Sequence, residues 1–136
     1  MNSKLLFYLN DFERIKEEEI KAIIQNIYSG INFEFPKDYL EIIKYYDGSE
    51  GEVGNSSYLI LFPLKKLLET NNNYKFLLQE IPDYFLFGKD AADTGYAFHK
   101  TRHTYHSFGL MSDFKTDFID FYGNNFLEFL EFLYNK

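Results

Sequence analysis

Tyr84-Phe85-Leu86-Phe87-Gly88-Lys89-Asp90-Ala91-Ala92-Asp93-Thr94-Gly95-Tyr96-Ala97-Phe98 is the stretch on which the fold turns. Two aromatic and aliphatic runs, 84–88 and 95–98, flank a turn of polar and small residues, 89–94. Bulky aromatic residues suit a pleated surface, and Asp side chains satisfy nearby turn N–H groups, so the pattern predicts a β-hairpin. Two more strands are expected downstream, one over roughly 104–108 and one near 116–121. Upstream, Tyr58-Leu59-Ile60-Leu61-Phe62 is a continuous apolar run bounded by turn signals. It reads as a strand covered on both faces, and so as a central one.

Helices bracket this strand-rich middle. Ile20, Ile23, Ile24 and Ile27 fall at i, i+3, i+4 and i+7 and form the apolar stripe of a helix predicted over 16–29. Glu17, Glu18 and Glu19 occupy its first turn, where the helix dipole favours negative charge, and Gly30 ends it. Residues 3–10 read as a short helix or a strand. Pro36 suits a first helical position, and Tyr39, Leu40, Ile43 and Tyr46 form the buried face of the helix that follows. Asp47-Gly48 closes that helix, and 49–55 reads as a loop. Pro63 starts a helical turn carrying Leu64, Leu67 and Leu68, Asn71-Asn72-Asn73 is a polar break, and 74–80 reads as another turn of helix. The chain closes with a helix capped by Asn125, with Glu128 in capping-box position and Phe126, Phe129, Leu130 and Leu133 facing inward. Helices, then clustered strands, then a helix is an α+β order. The expectation is one domain over 1–136, a largely antiparallel central sheet with N-terminal helices and a C-terminal helix packed on it.

Composition narrows the function. The 136 residues fit one domain, and 46% hydrophobic content supplies a core that needs no metal or cross-link. There is no cysteine, which excludes disulfides, thiolate nucleophiles and zinc–thiolate sites and makes a reducing cytoplasm the expected home. No apolar run reaches the length of a secretory signal core or a membrane span. The net charge of −7 repels phosphate backbones and attracts basic partners. Sixteen Phe and twelve Tyr against no Trp fit the codon bias of an AT-rich genome; the sharper reading is that some of them form an interface.

The candidate chemical motifs are weak. Gly48, Gly51 and Gly54 lack the Lys-Ser/Thr of a phosphate loop, and Asp47, Glu50 and Glu52 would repel phosphate. Asp90 and Asp93 read first as turn formers and second as acidic contacts. His99, His103 and His106 are expected to diverge across a strand rather than meet on a metal. The stretch 99–106 also holds Lys100 and Arg102 and no acid, a local basic strip. No nucleophile elbow or triad order is present. Neither a catalytic set nor a cofactor is expected.

Several segments, taken in order, resemble the SUKH superfamily of fungal cell-wall assembly regulators and bacterial immunity proteins. Phe35-Pro36-Lys37-Asp38-Tyr39-Leu40 leading to Tyr45-Tyr46-Asp47-Gly48 is similar to its proline-started helix with a glycine exit. Gly51-Glu52 before 58–64 is like its strand ending in Pro-Leu, 82–90 with 94–98 matches its most specific segment, and 126–133 is like its final helix. The chain departs from the pattern in lacking Trp and in carrying Ala91-Ala92 where a glycine-rich turn is usual. The resemblance implies an immunity role: occlusion of a cognate protein toxin, often a nuclease, with no direct contact to nucleic acid or membrane. Its alternative is a regulatory or scaffold module of the cell-wall-regulator type. Acidic loops are where such a binder would grip a basic partner, so the expected contact residues are Asp47, Glu50, Glu52, Asp90 and Asp93, with Tyr96 nearby.

Overall fold

A computed structural model describes residues 3–12 and 20–136. Its frame is a six-stranded antiparallel sheet in sequence order, built from β1 (Glu50–Val53), β2 (Ser57–Leu61), β3 (Tyr84–Lys89), β4 (Thr94–His99), β5 (Tyr105–Gly109) and β6 (Asp120–Gly123). Around it lie α1 (Ser3–Tyr8), α2 (Ile20–Tyr28), α3 (Lys37–Tyr46), a 3-10 turn (Leu64–Lys66), α4 (Leu67–Asn73), α5 (Lys75–Leu78) and α6 (Phe126–Tyr134). The predicted α+β order and the central hairpin are as observed, and residues 3–8 take the helical alternative. The first part of the helix expected over 16–29, with its three glutamates, lies outside the described residues.

One face of the sheet carries the aromatic core. Phe87 meets the rings of Tyr39, Tyr105, Phe126 and Phe129, and Phe98 meets those of Phe35 and Tyr39. This locks α3 and α6 onto β3, β4 and β5. Each such ring contributes roughly 1.5–3 kcal/mol by leaving water, and edge-on pairing adds a little more. Asp38 ties the same three layers by hydrogen bonds. Its Oδ1 accepts from the Tyr105 hydroxyl at 2.7 Å and from the Tyr39 N–H at 2.9 Å, and its Oδ2 accepts from the Phe126 N–H at 2.6 Å. Asn125 caps α6 as expected, accepting from the Glu128 N–H at 2.9 Å. The reciprocal bond to the Glu128 carboxylate comes from the N–H of Asn124, one residue earlier than the usual capping box.

Four expectations change. The segment 49–55 is not a loop, because Glu50–Val53 pairs with β2 in full register. Its inward positions are Gly51 and Val53, and Gly51 leaves room for the Phe12 ring, whose nearest carbon would lie 3.0 Å from a β-carbon there. In consequence β2 is second from the edge, and only alternate residues of it are fully buried. The polar Asn71 does not break a helix. It sits in the last turn of α4 and completes the sheet where β2 has peeled away from β3, accepting from the Leu86 N–H and donating to the Leu86 carbonyl, both at 2.9 Å. Finally, the last strand begins at Asp120 rather than near 116, since Asp113 and Asp117 fold 113–117 into a turn. Asp117 accepts from the Asp113 N–H at 2.8 Å, and Asp113 from the Lys115 N–H at 3.1 Å.

At the β1–β2 tip Gly54 has φ +75°, and a β-carbon there would lie 2.5 Å from the Tyr134 carbonyl oxygen. Only glycine fits both the left-handed backbone and this close approach to the end of α6. Among the described residues, no helix is long and apolar enough to cross a membrane.

Candidate partner-binding surface

Strand register sorts the charges. Glu50 pairs with Ile60, Ile60 with Lys89, Lys89 with Gly95 and Gly95 with Phe108, so one row crosses five strands. The row places Glu50, the Asp90–Asp93 turn and the 110–120 connection at one end of the sheet. Neighbouring strands are about 4.8 Å apart, so this rim is about 19 Å long across these five strands and about 24 Å with β6 added. Along it lie Glu50, Asp90, Asp93, Asp113, Asp117 and Asp120, with Lys89 and Lys115 among them and Lys65 and Lys66 following the end of β2. The Lys89 ammonium is turned onto the Asp90 carbonyl at 2.9 Å. At the opposite end the β4–β5 turn carries Lys100, Arg102 and His103. Lys100 lies 5.1 Å from the centre of the Phe33 ring, and burial lowers the pKa of its ammonium. The sheet therefore has an acidic end, and its opposite end mixes Lys100 and Arg102 with Asp83, whose carbonyl accepts from the Lys100 N–H at 2.8 Å.

The acidic end also holds bare apolar surface. Six of the aromatic side chains are exposed: Phe7, Phe76, Phe118, Phe121, Phe132 and Tyr134. Four of these are accounted for elsewhere. Phe7 packs on Tyr134, Phe132 stacks on Tyr122 with ring centres 4.0 Å apart, and Phe76 stands on α5 under the Lys75 ammonium. The remaining two adjoin β6. Phe118 is 83% exposed and shares a shallow hollow of about 420 Å³ with Met111, which is 86% exposed. Asp93, Asp117 and Asp120 line the same hollow. Phe121, 54% exposed, follows on β6 and leans on His106 at 5.6 Å. Exposed apolar side chains rimmed by charge are the arrangement of an interaction surface.

The expected contact residues divide. Asp93 lines the hollow, and Glu50 and Asp90 lie on the same rim. Asp90 also shapes its turn, accepting from the Ala92 N–H at 2.8 Å and the Thr94 N–H at 3.0 Å. Glu50 accepts from the Tyr58 hydroxyl at 2.7 Å, and that bond raises the pKa of the hydroxyl. Glu52 is exposed on β1, two residues in from the rim. Asp47 serves the fold. It is half-buried, accepts from the Leu64 N–H at 2.8 Å, and burial raises its carboxyl pKa. Tyr96 is 3% exposed and packs on Phe129, so no partner can reach it; burial raises the pKa of its hydroxyl. It was expected at the surface because it follows an exposed turn, but strand alternation points it into the core.

Met111, Phe118, Phe121, Asp113, Asp117 and Asp120 were not foreseen. Their signal is the alternation of acids and aromatics over 113–121, hidden while 116–121 reads as a strand. The histidines also behave differently from expectation. His103 turns away with φ 57° and donates to the Glu34 carbonyl at 3.1 Å, but His99 and His106 converge on Tyr84, at 5.2 and 5.0 Å. Register explains this: Tyr84 faces His99, and His106 faces Ala97 two residues before it, so all three share one side of the sheet. Burial lowers the pKa of both imidazoles, that of His106 to about 4. Among the described residues, no three His, Cys, Asp or Glu side chains gather where they could hold a metal ion.

Comparison with known protein families and with curated proteins finds no match to this chain.

Proposed function

We propose that this chain is a non-enzymatic immunity-type protein that neutralises a basic protein toxin, its acidic sheet end covering the toxin's cationic surface. The observation that carries the reading is the joint placement of Met111, Phe118 and Phe121 with Asp93, Asp117 and Asp120 at one end of the sheet. Apolar anchors supply the area, and surrounding carboxylates select a cationic partner and steer its approach. A net charge of −7 adds a long-range field of the same sign. The ordered resemblance to SUKH immunity proteins supplies the word toxin; the charge and the exposed aromatics support only a basic protein partner. A cysteine-free chain meeting a nuclease inside the cell fits a cytoplasmic site of action.

The test is co-purification with a toxin domain encoded beside the chain, followed by assay of that toxin's activity. The expected result is a stoichiometric complex of nanomolar affinity or tighter, about −12 kcal/mol, with activity suppressed. A basic co-encoded toxin that neither binds nor is inhibited would overturn the proposal and leave a regulatory or scaffold role in its place.

A further inference from the structure

We infer that the outer edge of β6 receives an extended segment of the partner as a seventh strand, and that this segment alternates basic and apolar residues. The inference rests on the proposal that the acidic end of the sheet meets a basic protein, and adds the manner of docking.

The two edges of the sheet are treated differently. Beside β1, the Phe12 ring and the Asp11 carbonyl lie against Gly51, and the end of α6 lies against Gly54. Nothing among the described residues pairs with the outer side of β6. It is the last strand in the order, and residues 119–123 make no backbone–backbone hydrogen bond outside their pairing with β5. About half of its N–H and C=O groups therefore point outward unpaired. Edges left in this state invite another chain unless lysine, proline or a bulge blocks them. β6 contains no lysine or proline; its ladder is interrupted at Tyr122, the extra residue between Phe121 opposite His106 and Gly123 opposite Tyr105, so the regular part of the open edge is Asp120–Phe121.

The flanks of that edge name the occupant. On the α6 side is a second shallow hollow of about 410 Å³, lined by Tyr122, Phe132, Glu128 and Glu131 with Lys136. The Asp120 side chain belongs to this side of the strand, since Asp120 pairs with Ser107 and Ser107 with Tyr96, a residue of the α6-facing core. On the other side Phe121 stands exposed beside His106. Side chains of an added strand alternate between these sides. Every second residue would face the carboxylates of Asp120, Glu128 and Glu131, where lysine or arginine gains ion pairing; the Tyr122 and Phe132 rings beside them already lie under the Lys136 ammonium, at 5.2 and 6.0 Å. The residues between would face Phe121 and favour valine or isoleucine. A second copy of this chain is the poorer occupant, because edge-to-edge pairing would bring Asp117, Asp120 and Glu128 against their own kind. Strand addition of this type draws affinity from main-chain bonds and specificity from alternate side chains.

The test uses the full chain and the synthetic peptide acetyl-Lys-Val-Lys-Ile-Lys-Val-Lys-amide, beside the same peptide N-methylated at alternate backbone amides along each edge in turn. Amide chemical shifts and hydrogen exchange are followed. The expected result is that shifts centre on 119–123, that exchange there slows at least tenfold, and that one methylated peptide binds at least tenfold more weakly. Phe121→Lys, which places a charge on the open edge at an exposed position, should abolish the effect while leaving the spectrum folded. Equal binding by all the peptides, shifts centred elsewhere on the acidic rim, or no binding at millimolar peptide would each overturn strand addition. None of these outcomes touches the toxin-neutralising proposal, which is judged by whether the co-encoded toxin is bound and inhibited.

Discussion

Replacing Asp38 with Ala removes one carboxylate from three hydrogen bonds, and the cost can be assembled donor by donor. The Tyr105 hydroxyl, 2.7 Å from Oδ1, belongs to a side chain with no exposed surface, so water cannot replace the lost acceptor. A stranded buried donor of this kind costs about 1–3 kcal/mol. The Phe126 N–H, 2.6 Å from Oδ2, opens α6; losing a charged acceptor at a helix N-terminus costs about 1 kcal/mol. The Tyr39 N–H lies in the first turn of α3 and adds about 0.5–1 kcal/mol. The sum, about 2.5–5 kcal/mol, is a large share of the 5–15 kcal/mol that usually holds a domain together. At about 3–5 °C per kcal/mol for a chain of this size, melting should fall by ~10–20 °C. Urea denaturation of wild type, Asp38→Ala, Tyr105→Phe and the double variant completes the argument. Tyr105→Phe should cost about 1–2 kcal/mol alone and close to nothing beside Asp38→Ala, because the stranded hydroxyl is then gone. A loss below about 1 kcal/mol for Asp38→Ala, or the same cost for Tyr105→Phe in both backgrounds, would refute the reasoning.

Other consequences follow from single contacts. Asn71→Ala should cost about 2–3 kcal/mol and speed exchange of the Leu86 amide, since it strips both backbone groups of Leu86 of their partner; unchanged exchange would mean that water fills the place. Gly54→Ala should cost about 2–3 kcal/mol from left-handed strain and the approach of Tyr134, and a neutral result by thermal melt would contradict the packing described at that tip. His106 binds its proton less readily folded than unfolded, with a folded pKa of about 4 against an ordinary 6.5. Its stabilising contribution is therefore full above pH 6.5 and lost as pH falls from 6.5 to about 4, with a slope of at most about 1.4 kcal/mol per pH unit. A pH series of denaturation midpoints should flatten across that window in His106→Phe, and identical slopes would rule the linkage out. Association with the basic partner should slow steeply between about 50 and 200 mM salt while dissociation changes little; salt-independent association would remove electrostatic steering.

How far the sequence was legible depended on where each signal lay. The β3–β4 hairpin and α6 carry theirs within a few residues, an acidic turn between aromatic runs and an Asn–Glu cap ahead of an apolar stripe. β1 was unreadable because one of its two inward positions is Gly51, and its burial depends on a ring forty residues away in sequence. On α3, Ile42 is fully buried and Leu40 only partly, so the contact face is rotated from the one its spacing suggested. β6 was placed too early because hydrogen bonds between Asp113 and Asp117 hold 113–117 in a turn, against the strand preference of Phe114 and of Phe118 just beyond. For the surface, clustering of acids singled out Asp90, Asp93 and Glu50, but whether they share an end with Asp117 and Asp120 is a matter of register across six strands. No local pattern encodes that.

The decisive measurement is the affinity of the co-encoded basic toxin domain for two double variants that change the net charge equally in different places. Asp117→Lys with Asp120→Lys alters the acidic end beside Phe118, while Glu69→Lys with Glu80→Lys alters exposed carboxylates on the α4–α5 side. At fixed salt the first pair should weaken binding about 100-fold, near 2.7 kcal/mol, and the second by less than about threefold. Equal weakening by both pairs, or none by the first, would contradict the assignment of partner binding to this end of the sheet.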